Sequence, residues 1–198
     1  RDDVESRGLG DVYKRQYFAG HSLGEYNALS SFAGVIPLET VLELVFHRGS
    51  TMHHLIPRDE KGRSNYRMGA LRPNQFGVGD DGVREYVESV SKASGEFLEI
   101  VNYNLAGQQY AVAGTIAGLK ALKADSARRV AAFGGKPAFM LVPGIDVPFH
   151  STLLRKGVPE FREKLDALDA SMNNFSLILR LTFGLSLIHI SEPTRLDV

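Results

Sequence analysis

The pentapeptide GHSLG at residues 20–24 limits the possible folds of this chain more than any other stretch. It has the form G-x-S-x-G and follows a short apolar run at residues 17–19. In this pattern a strand turns sharply into a helix and leaves the serine Oγ, here that of Ser22, exposed at the turn. We expect glycine at both ends because the backbone packs too closely there for side chains. Small residues also occur at such turns for packing reasons, so the pentapeptide alone leaves a catalytic and a packing role open.

The composition excludes several classes of protein. The 198 residues are 43% hydrophobic and 23% charged, which is enough for one core or two small ones. Basic and acidic residues both number 23 and no long basic run occurs, so nothing indicates a nucleic-acid or membrane partner. No cysteine is present, which excludes disulfides and thiolate metal sites, and we predict no metal. Since no apolar run is long enough to span a bilayer, we expect a cytoplasmic protein with a small-molecule or protein partner.

The two ends of the chain are related through their codons. One set of codons for DVESRGLGDVYKRQ, residues 3–16, reads in reverse complement as LSLIHISEPTRLDV, residues 185–198. A match of this length is hard to obtain from two unrelated protein ends and is typical of one sequencing adapter on both sides of an insert. We therefore expect residues 1–16 and 185–198 to be translated adapter, and we leave them out of the fold prediction.

The middle of the chain predicts a small α/β unit. It follows a polar, turn-rich loop at residues 57–65. The apolar spacing predicts strands at residues 66–71, 97–103, 110–113 and 137–142, and helices at residues 82–91 and 116–133. The order β-α-β-β-α-β is that of a ferredoxin-like unit.

The rest of the chain predicts a larger α/β part, into which the small unit is inserted. One helix continues from the pentapeptide over residues 25–29, and a second follows Pro37 to about residue 52. The apolar residues of the second helix recur at helical spacing: Leu38, Val41, Leu42, Val45 and Phe46. We expect the larger part at residues 17–65 and 144–172 and the small one at residues 66–143, with residues 173–184 unassigned.

One histidine is placed to activate Ser22. A serine hydroxyl is a poor nucleophile until a base takes its proton. His150 lies near the end of a proline-bounded stretch at residues 142–151, from which it can reach the end of another strand. We expect His21, which is adjacent to the site, to be a packing or hydrogen-bonding residue. Three further histidines are interpreted as solvated or packing side chains, and one lies in the expected adapter: His47, His53 and His54, and His189.

Arg48 has two readings on the sequence alone. It closes the predicted second helix, where a cation is favourable beside the helix C-terminus, so it can be a cap or a surface charge. It can also be a fork of N–H donors that holds a carboxylate in two parallel hydrogen bonds. Both readings stay open at this point.

Five motifs follow one another along the chain. They are GHSLGEY at residues 20–26, HRGSTM at 47–52, PRDEKGRSNYRM at 57–68, EIVNYNLAGQQYAVAG at 99–114 and VPFHS at 147–151. In this order they resemble the acyltransferase family that loads malonyl groups onto acyl carrier protein. The likeness covers about residues 17–168 and is most specific to the malonyl/palmitoyl transferase domain of type I fatty acid synthases, in fungal β chains and their actinobacterial counterparts. It implies an α/β-hydrolase-like acyltransferase core with the inserted ferredoxin-like unit, present here as a fragment.

The resemblance implies roles for individual residues. Ser22 would be the nucleophile, His150 its base, and Arg48 the ligand of the free malonyl carboxylate. The Leu23 backbone N–H would supply one oxyanion donor at the start of the helix. The second donor of the family, a glutamine in an upstream glycine-rich loop, and the last strands, which orient the histidine, are expected to lie outside this chain.

Two asparagines match polar positions beside the family's site. They are Asn102 and Asn104, and strand-end hydrogen bonding explains them equally well. The implied reaction is a ping-pong transfer with no bound cofactor, from malonyl-CoA or another acyl-CoA through an acyl-serine to the phosphopantetheine thiol of acyl carrier protein. Other domains of a fatty acid synthase are the further partners that it implies.

Two alternatives to this reaction stay open. One is a serine hydrolase, such as a thioesterase, on the same turn, and the other is a non-catalytic structural module of a synthase. A carboxylate-binding arginine and the inserted unit favour transfer over hydrolysis. The presence of both Ser22 and His150 argues against a degenerate site.

Overall fold

Residues 20–31 and 37–169 are described by a computed structural model of the chain. The expected adapter segments, the strand expected at residues 17–19 and the unassigned residues 173–184 lie outside the described residues. Every strand that is described belongs to a single antiparallel sheet.

Two helices follow the pentapeptide, as predicted. Helix α1 spans Leu23–Ser31, and helix α2 spans Leu38–His54, directly after Pro37. The predicted apolar face of α2 is only partly correct. Val41 is buried and Val45 half-buried, but three of the five predicted residues are exposed, and buried Leu44 was not among the five; the exposed residues are Leu38, Leu42 and Phe46. Their spacing is helical, yet among the described residues nothing covers that side of the helix.

The predicted β-α-β-β-α-β unit is confirmed. Its strands are β1 (Tyr66–Leu71), β2 (Leu98–Leu105), β3 (Gln109–Thr115) and β4 (Phe139–Leu141), and its helices are α3 (Asp80–Ser94) and α4 (Ile116–Phe133). The sheet order is β2-β3-β1-β4 with every pair antiparallel. We call residues 66–141 the sheet unit. The last strand is shorter than predicted, because only three of its residues pair with β1.

The two faces of this sheet have different partners. Helices α3 and α4 cover one face through a core that contains Val83, Val87, Leu119 and Leu122. The other face presents Met68, Val101 and Ala113, and the segment that leads to His150 packs on it through Val142, Ile145 and Phe149. The sheet unit is therefore the platform against which the histidine segment rests.

The chain then returns to the first two helices. A 3-10 helix spans Thr152–Gly157 and continues into helix α5, Val158–Asp169, which was not predicted. Phe161 and Leu165 of α5 pack with Tyr26 of α1 and Leu44 of α2 in one core. Phe149 lies against this core and against the sheet face, so it joins the two parts of the molecule.

Candidate active site

The backbone turn at Ser22 is sharp and strained. Ser22 has φ 55°, a left-handed conformation that few residues other than glycine adopt. The Gly24 N–H donates to the His21 carbonyl at 2.9 Å, and the Glu25 N–H donates to the Ser22 carbonyl at 3.1 Å. Helix α1 begins directly after the serine, so its Oγ stands at the helix N-terminus. The predicted strained turn into a helix is present.

The two glycines of the pentapeptide have different surroundings. A Cβ added to Gly20 would lie 1.9 Å from the Gly24 carbonyl oxygen, so only glycine fits there. A Cβ added to Gly24 would meet nothing within 4 Å. The expectation that close packing requires glycine on both sides is therefore correct for Gly20 and wrong for Gly24, which faces open space.

His150 reaches Ser22 from the far end of the chain. Its Nε2 lies 3.0 Å from the Ser22 Oγ, and its side chain is buried. The residue has φ 61°, the only other left-handed non-glycine residue among those described. Hydrogen bonds fold the segment around it: the Phe149 N–H donates to the Val147 carbonyl at 2.9 Å and the Ser151 Oγ donates to the Pro148 carbonyl at 2.7 Å. The histidine predicted as the base is thus beside the serine.

Arg48 completes the cluster. Its Nη2 donates to the Ser22 Oγ at 3.2 Å, and only 7% of the residue is exposed. Helix α2 continues past Arg48 to His54, so neither the C-terminal cap nor the surface charge considered from the sequence is correct. The guanidinium carbon lies 5.7 Å from the centroid of the Tyr26 ring. Arg48 is an interior residue that points its charge at the serine.

The electrostatics of Arg48 suit an anionic ligand. Burial lowers the pKa of the Arg48 guanidinium, while Tyr26 and Glu25 nearby act in the opposite direction. An arginine starts so far above neutral pH that it keeps its charge. Its Nε is buried and has no hydrogen-bond partner among the described residues. A buried, charged donor without a partner is costly, and a carboxylate of a ligand would satisfy it.

The hydrogen bonds at Ser22 define the direction of proton transfer. A serine hydroxyl has one donor and two acceptor lone pairs, and arginine only donates. With Arg48 donating to the Oγ, the hydroxyl proton can be donated to His150 Nε2 when that nitrogen is unprotonated. This is the arrangement of a nucleophile with its general base.

The first turn of α1 offers a donor for a developing negative charge. The amides of Gly24 and Glu25 are used by the turn itself, whereas the Leu23 amide makes no hydrogen bond to a carbonyl of the described residues. Leu23 is the first residue of α1, where N–H groups lack partners within the helix. Its N–H therefore supports the predicted oxyanion role, which stays a prediction.

The two asparagines lie in the sheet unit. Asn102 pairs with Ala111, and Ala111 packs on the sheet face that carries Phe149, so Asn102 lies on the face toward the site. Asn104 is exposed near the end of β2. Within the described part of the chain neither side chain makes a hydrogen bond, so neither the site role nor the strand-end role is supported by a contact.

The remaining histidines lie outside the cluster. His21 was expected to be a packing or hydrogen-bonding residue adjacent to the site; its side chain is exposed, and its ring centroid lies 6.4 Å from that of His150. His53 and His54 are exposed, as predicted. His47 is half-buried and its Nε2 lies 3.6 Å from the Glu43 carboxylate. His189 lies outside the described residues.

Two contacts of charged side chains, neither of them predicted, hold the chain on the two sides of His150, at Asp146 and at Thr152. Arg58 forms a two-pronged pair with the Asp146 carboxylate, with Nη2 to Oδ1 at 3.2 Å. Glu99 Oε2 accepts hydrogen bonds from the Thr152 N–H and Oγ1, each at 2.9 Å. The partners are 88 and 53 positions apart, so no local pattern indicates them. The only signal was indirect, since Arg58 and Glu99 both lie in motifs that carried the resemblance.

The described residues contain neither a metal-binding cluster nor a membrane span. In residues 20–31 and 37–169, no group of three or more His, Asp or Glu is placed to hold a metal ion. None of the helices in these two ranges has the length and apolar character needed to cross a membrane.

A family model and a curated protein match this chain. The family model, described as acyl transferase domain, matches residues 2–133. This range contains residues 2–16, and the expectation that they are translated adapter stays a prediction. The fatty acid synthase subunit beta of Saccharomyces cerevisiae is 37% identical over 205 residues, which cover 83% of this chain and 10% of that protein. The chain thus spans about a tenth of the length of this relative.

Two solved structures are similar in fold. FabD from Acinetobacter baumannii has a TM-score of 0.58 at 30% identity, over 74% of this chain and 41% of that chain. The acyl-carrier-protein S-malonyltransferase from Burkholderia pseudomallei has a TM-score of 0.57 at 31% identity, over 78% and 46%. This chain spans less than half of each of them. The likenesses confirm the predicted fold class.

Proposed function

Because this chain belongs to the acyl transferase domain family, we propose that it transfers acyl groups from coenzyme A to the phosphopantetheine thiol of an acyl carrier protein in fatty acid synthesis. One observation carries the proposal: a general base and a buried cation converge on one serine oxygen. His150 Nε2 is 3.0 Å from the Ser22 Oγ, and Arg48 Nη2 is 3.2 Å from the same atom.

The first half-reaction loads the serine. The Ser22 Oγ attacks the carbonyl carbon of the thioester as its proton passes to His150 Nε2. The tetrahedral intermediate carries a negative oxygen, to which the Leu23 N–H at the start of α1 would donate a hydrogen bond. The carbon–sulfur bond then breaks, the CoA sulfur takes the proton from the imidazolium, and the acyl group remains as an ester of Ser22.

The second half-reaction transfers the acyl group from Ser22 to the carrier. The pantetheine thiol of the carrier gives its proton to His150, and its sulfur attacks the ester carbon. When the bond from this carbon to the Oγ breaks, Ser22 regains the proton and the acyl group leaves on the carrier. One base serves both steps because it returns to its neutral state after each one.

Arg48 indicates which class of acyl group the site binds. A malonyl group carries a free carboxylate, and a guanidinium can hold it in two parallel hydrogen bonds. A long-chain acyl group has no such anion, so a buried arginine offers it nothing. We therefore propose malonyl-CoA as the principal acyl donor, with palmitoyl-CoA as a second donor that does not depend on Arg48.

The partners follow from this chemistry. The acceptor is an acyl carrier protein, which also appears in the name of one similar structure, the S-malonyltransferase from Burkholderia pseudomallei. Other fatty acid synthase domains are proposed neighbours, because the similar protein from Saccharomyces cerevisiae is a fatty acid synthase subunit of which this chain covers only 10%. No metal, bound cofactor, nucleic acid or membrane takes part in the proposed reaction, which we place in the cytoplasm.

Intact-mass measurement tests the proposal. The full-length protein is incubated with malonyl-CoA and separately with palmitoyl-CoA, with Ser22→Ala as the control. We expect a Ser22-dependent adduct that a carrier thiol discharges faster than water does. An adduct lost to water at the same rate contradicts transfer in favour of hydrolysis, and a folded protein that forms no adduct contradicts both.

A further inference from the structure

The residues after His150 are held by a carboxylate from the sheet unit. Glu99 Oε2 accepts hydrogen bonds from the N–H and the Oγ1 of Thr152, each at 2.9 Å. Thr152 begins the 3-10 helix Thr152–Gly157, where backbone N–H groups lack helical partners. The preceding Ser151 does not cap this helix, because its Oγ turns back to the Pro148 carbonyl at 2.7 Å. Glu99 therefore supplies the cap from another part of the chain.

Glu99 stands on the sheet face that also supports the residue before His150. It pairs with Ala113 of β3, and residues directly opposite each other in an antiparallel pair share a face. Ala113 belongs to the apolar cluster against which Phe149 packs. The backbone on both sides of His150 thus rests on β2 and β3, through an apolar contact at Phe149 and a polar one at Thr152.

The backbone of His150 needs such support. Its φ of 61° is costly for a residue with a side chain, and a conformation of this kind persists only where the surroundings hold it. The direction of the imidazole depends on this backbone, and a displacement of about 1 Å in a reacting group can lower a rate by about 100-fold. A contact two residues from His150 can therefore control its distance from Ser22.

We propose that Glu99 is a positioning residue for acyl transfer, which holds His150 Nε2 within reach of the Ser22 Oγ through Thr152. This inference rests on the proposed function. Glu99 does not contact the serine or the histidine, so it acts only through the backbone of the segment that it holds. The sheet unit thereby takes part in the reaction as a support for the base.

A matched control lies three residues away in the sequence. Glu96 Oε2 accepts a hydrogen bond from the Thr115 Oγ1 at 2.6 Å, which is the same kind of glutamate–threonine contact, but both partners lie in the sheet unit. Glu96→Ala removes a similar bond without touching the histidine segment. Glu99→Gln removes the charge but retains a side-chain oxygen, now that of an amide, which can accept both hydrogen bonds from Thr152.

The experiment measures single-turnover loading of Ser22 from malonyl-CoA by intact mass, in the full-length protein. We expect Glu99→Ala to slow loading by about tenfold or more, and Glu99→Gln to slow it by less than about threefold. Glu96→Ala should load at the wild-type rate, with thermal unfolding followed for every variant. If Glu99→Ala does not fold, Thr152→Ala, which removes only the hydroxyl bond, should still slow loading relative to Glu96→Ala.

The His150→Ala background distinguishes positioning from general loss of structure. Without the imidazole there is nothing left to position, so Glu99→Ala should not slow the residual loading further. Equal slowing in both backgrounds overturns the inference, and so does a Glu99→Ala protein that loads as fast as Glu96→Ala. If the wild type forms no Ser22 adduct, the proposed function fails and this inference fails with it. A normal wild-type adduct with no effect of Glu99 overturns the inference alone.

Discussion

The Ser22 Oγ and His150 Nε2 lie 3.0 Å apart although the two residues are separated by 128 positions, and both have left-handed backbone conformations. Removal of the imidazole leaves the serine without a base, so His150→Ala should slow Ser22 loading by about 10²- to 10⁴-fold. Mass measurement of the malonyl adduct over time checks this value. A His150→Ala rate within threefold of the wild type would contradict the role of the base.

Arg48 should separate the two acyl donors. Arg48→Ala removes the partner of the malonyl carboxylate, so loading from malonyl-CoA should fall by about 10- to 100-fold, the range for a hydrogen bond to a charged group. Loading from palmitoyl-CoA should stay the same or rise. Arg48→Lys keeps the charge but cannot form the two parallel hydrogen bonds, so its rate of malonyl loading should lie between those of the wild type and Arg48→Ala. Equal loss with both donors would refute the assigned role of Arg48.

The two glycines of the pentapeptide should respond oppositely to alanine. At Gly20 the new Cβ meets the Gly24 carbonyl oxygen at 1.9 Å, so Gly20→Ala should lower the free energy of unfolding by about 1–3 kcal/mol or more. Gly24 lies in α1 with open space around it, so Gly24→Ala should be neutral or stabilising by up to about 1 kcal/mol. Urea unfolding of both variants measures the two changes in the free energy of unfolding. Similar losses at the two positions would show that the turn, and not the close contact, is sensitive.

The Arg58–Asp146 pair should make stability depend on acid pH. The hydrogen bonds from Arg58 hold the pKa of the Asp146 carboxyl below its usual value. The folded protein therefore binds this proton less readily than the unfolded chain, and the contribution of the pair is present above about pH 4, the ordinary aspartate pKa, and lost as the pH falls below it. Asp146→Asn should flatten the fall in stability below about pH 4 and leave the slope at pH 6–8 unchanged. Thermal unfolding across this range measures both, and an unchanged acid slope contradicts the prediction.

The sheet unit could be predicted from the sequence because its signals are local. The apolar faces of α3 and α4 and the turns between the strands follow from spacing within each segment, and the helix Ile116–Phe133 has the predicted bounds. The strand β4 was predicted too long because its length depends on how much of β1 remains to pair with it. That information lies in another segment.

The helices around the site were predicted less well for the same reason. The spacing of α2 predicts a helix, but which side is buried depends on α1 and α5, and α5 itself was not predicted. Ser22 and His150 could be proposed because a turn motif and a loop position point to them. The sequence could not decide whether the Arg48 side chain is buried or exposed. The contacts of Arg58 and Glu99 could not be predicted either, because each joins residues 53 or more positions apart.

The left-handed conformations of Ser22 and His150 also matter for protein engineering. Glycine at either position would remove a steric cost of about 1–2 kcal/mol from the folded state. Glycine also makes the unfolded chain more flexible, which lowers the free energy of unfolding by about 0.4–1 kcal/mol, so the net effect is stabilising. A library selected for heat resistance alone should therefore accumulate glycine at these two positions and lose turnover. Selection for survival at high temperature and selection for catalysis thus oppose each other at the two residues that the proposed reaction needs most.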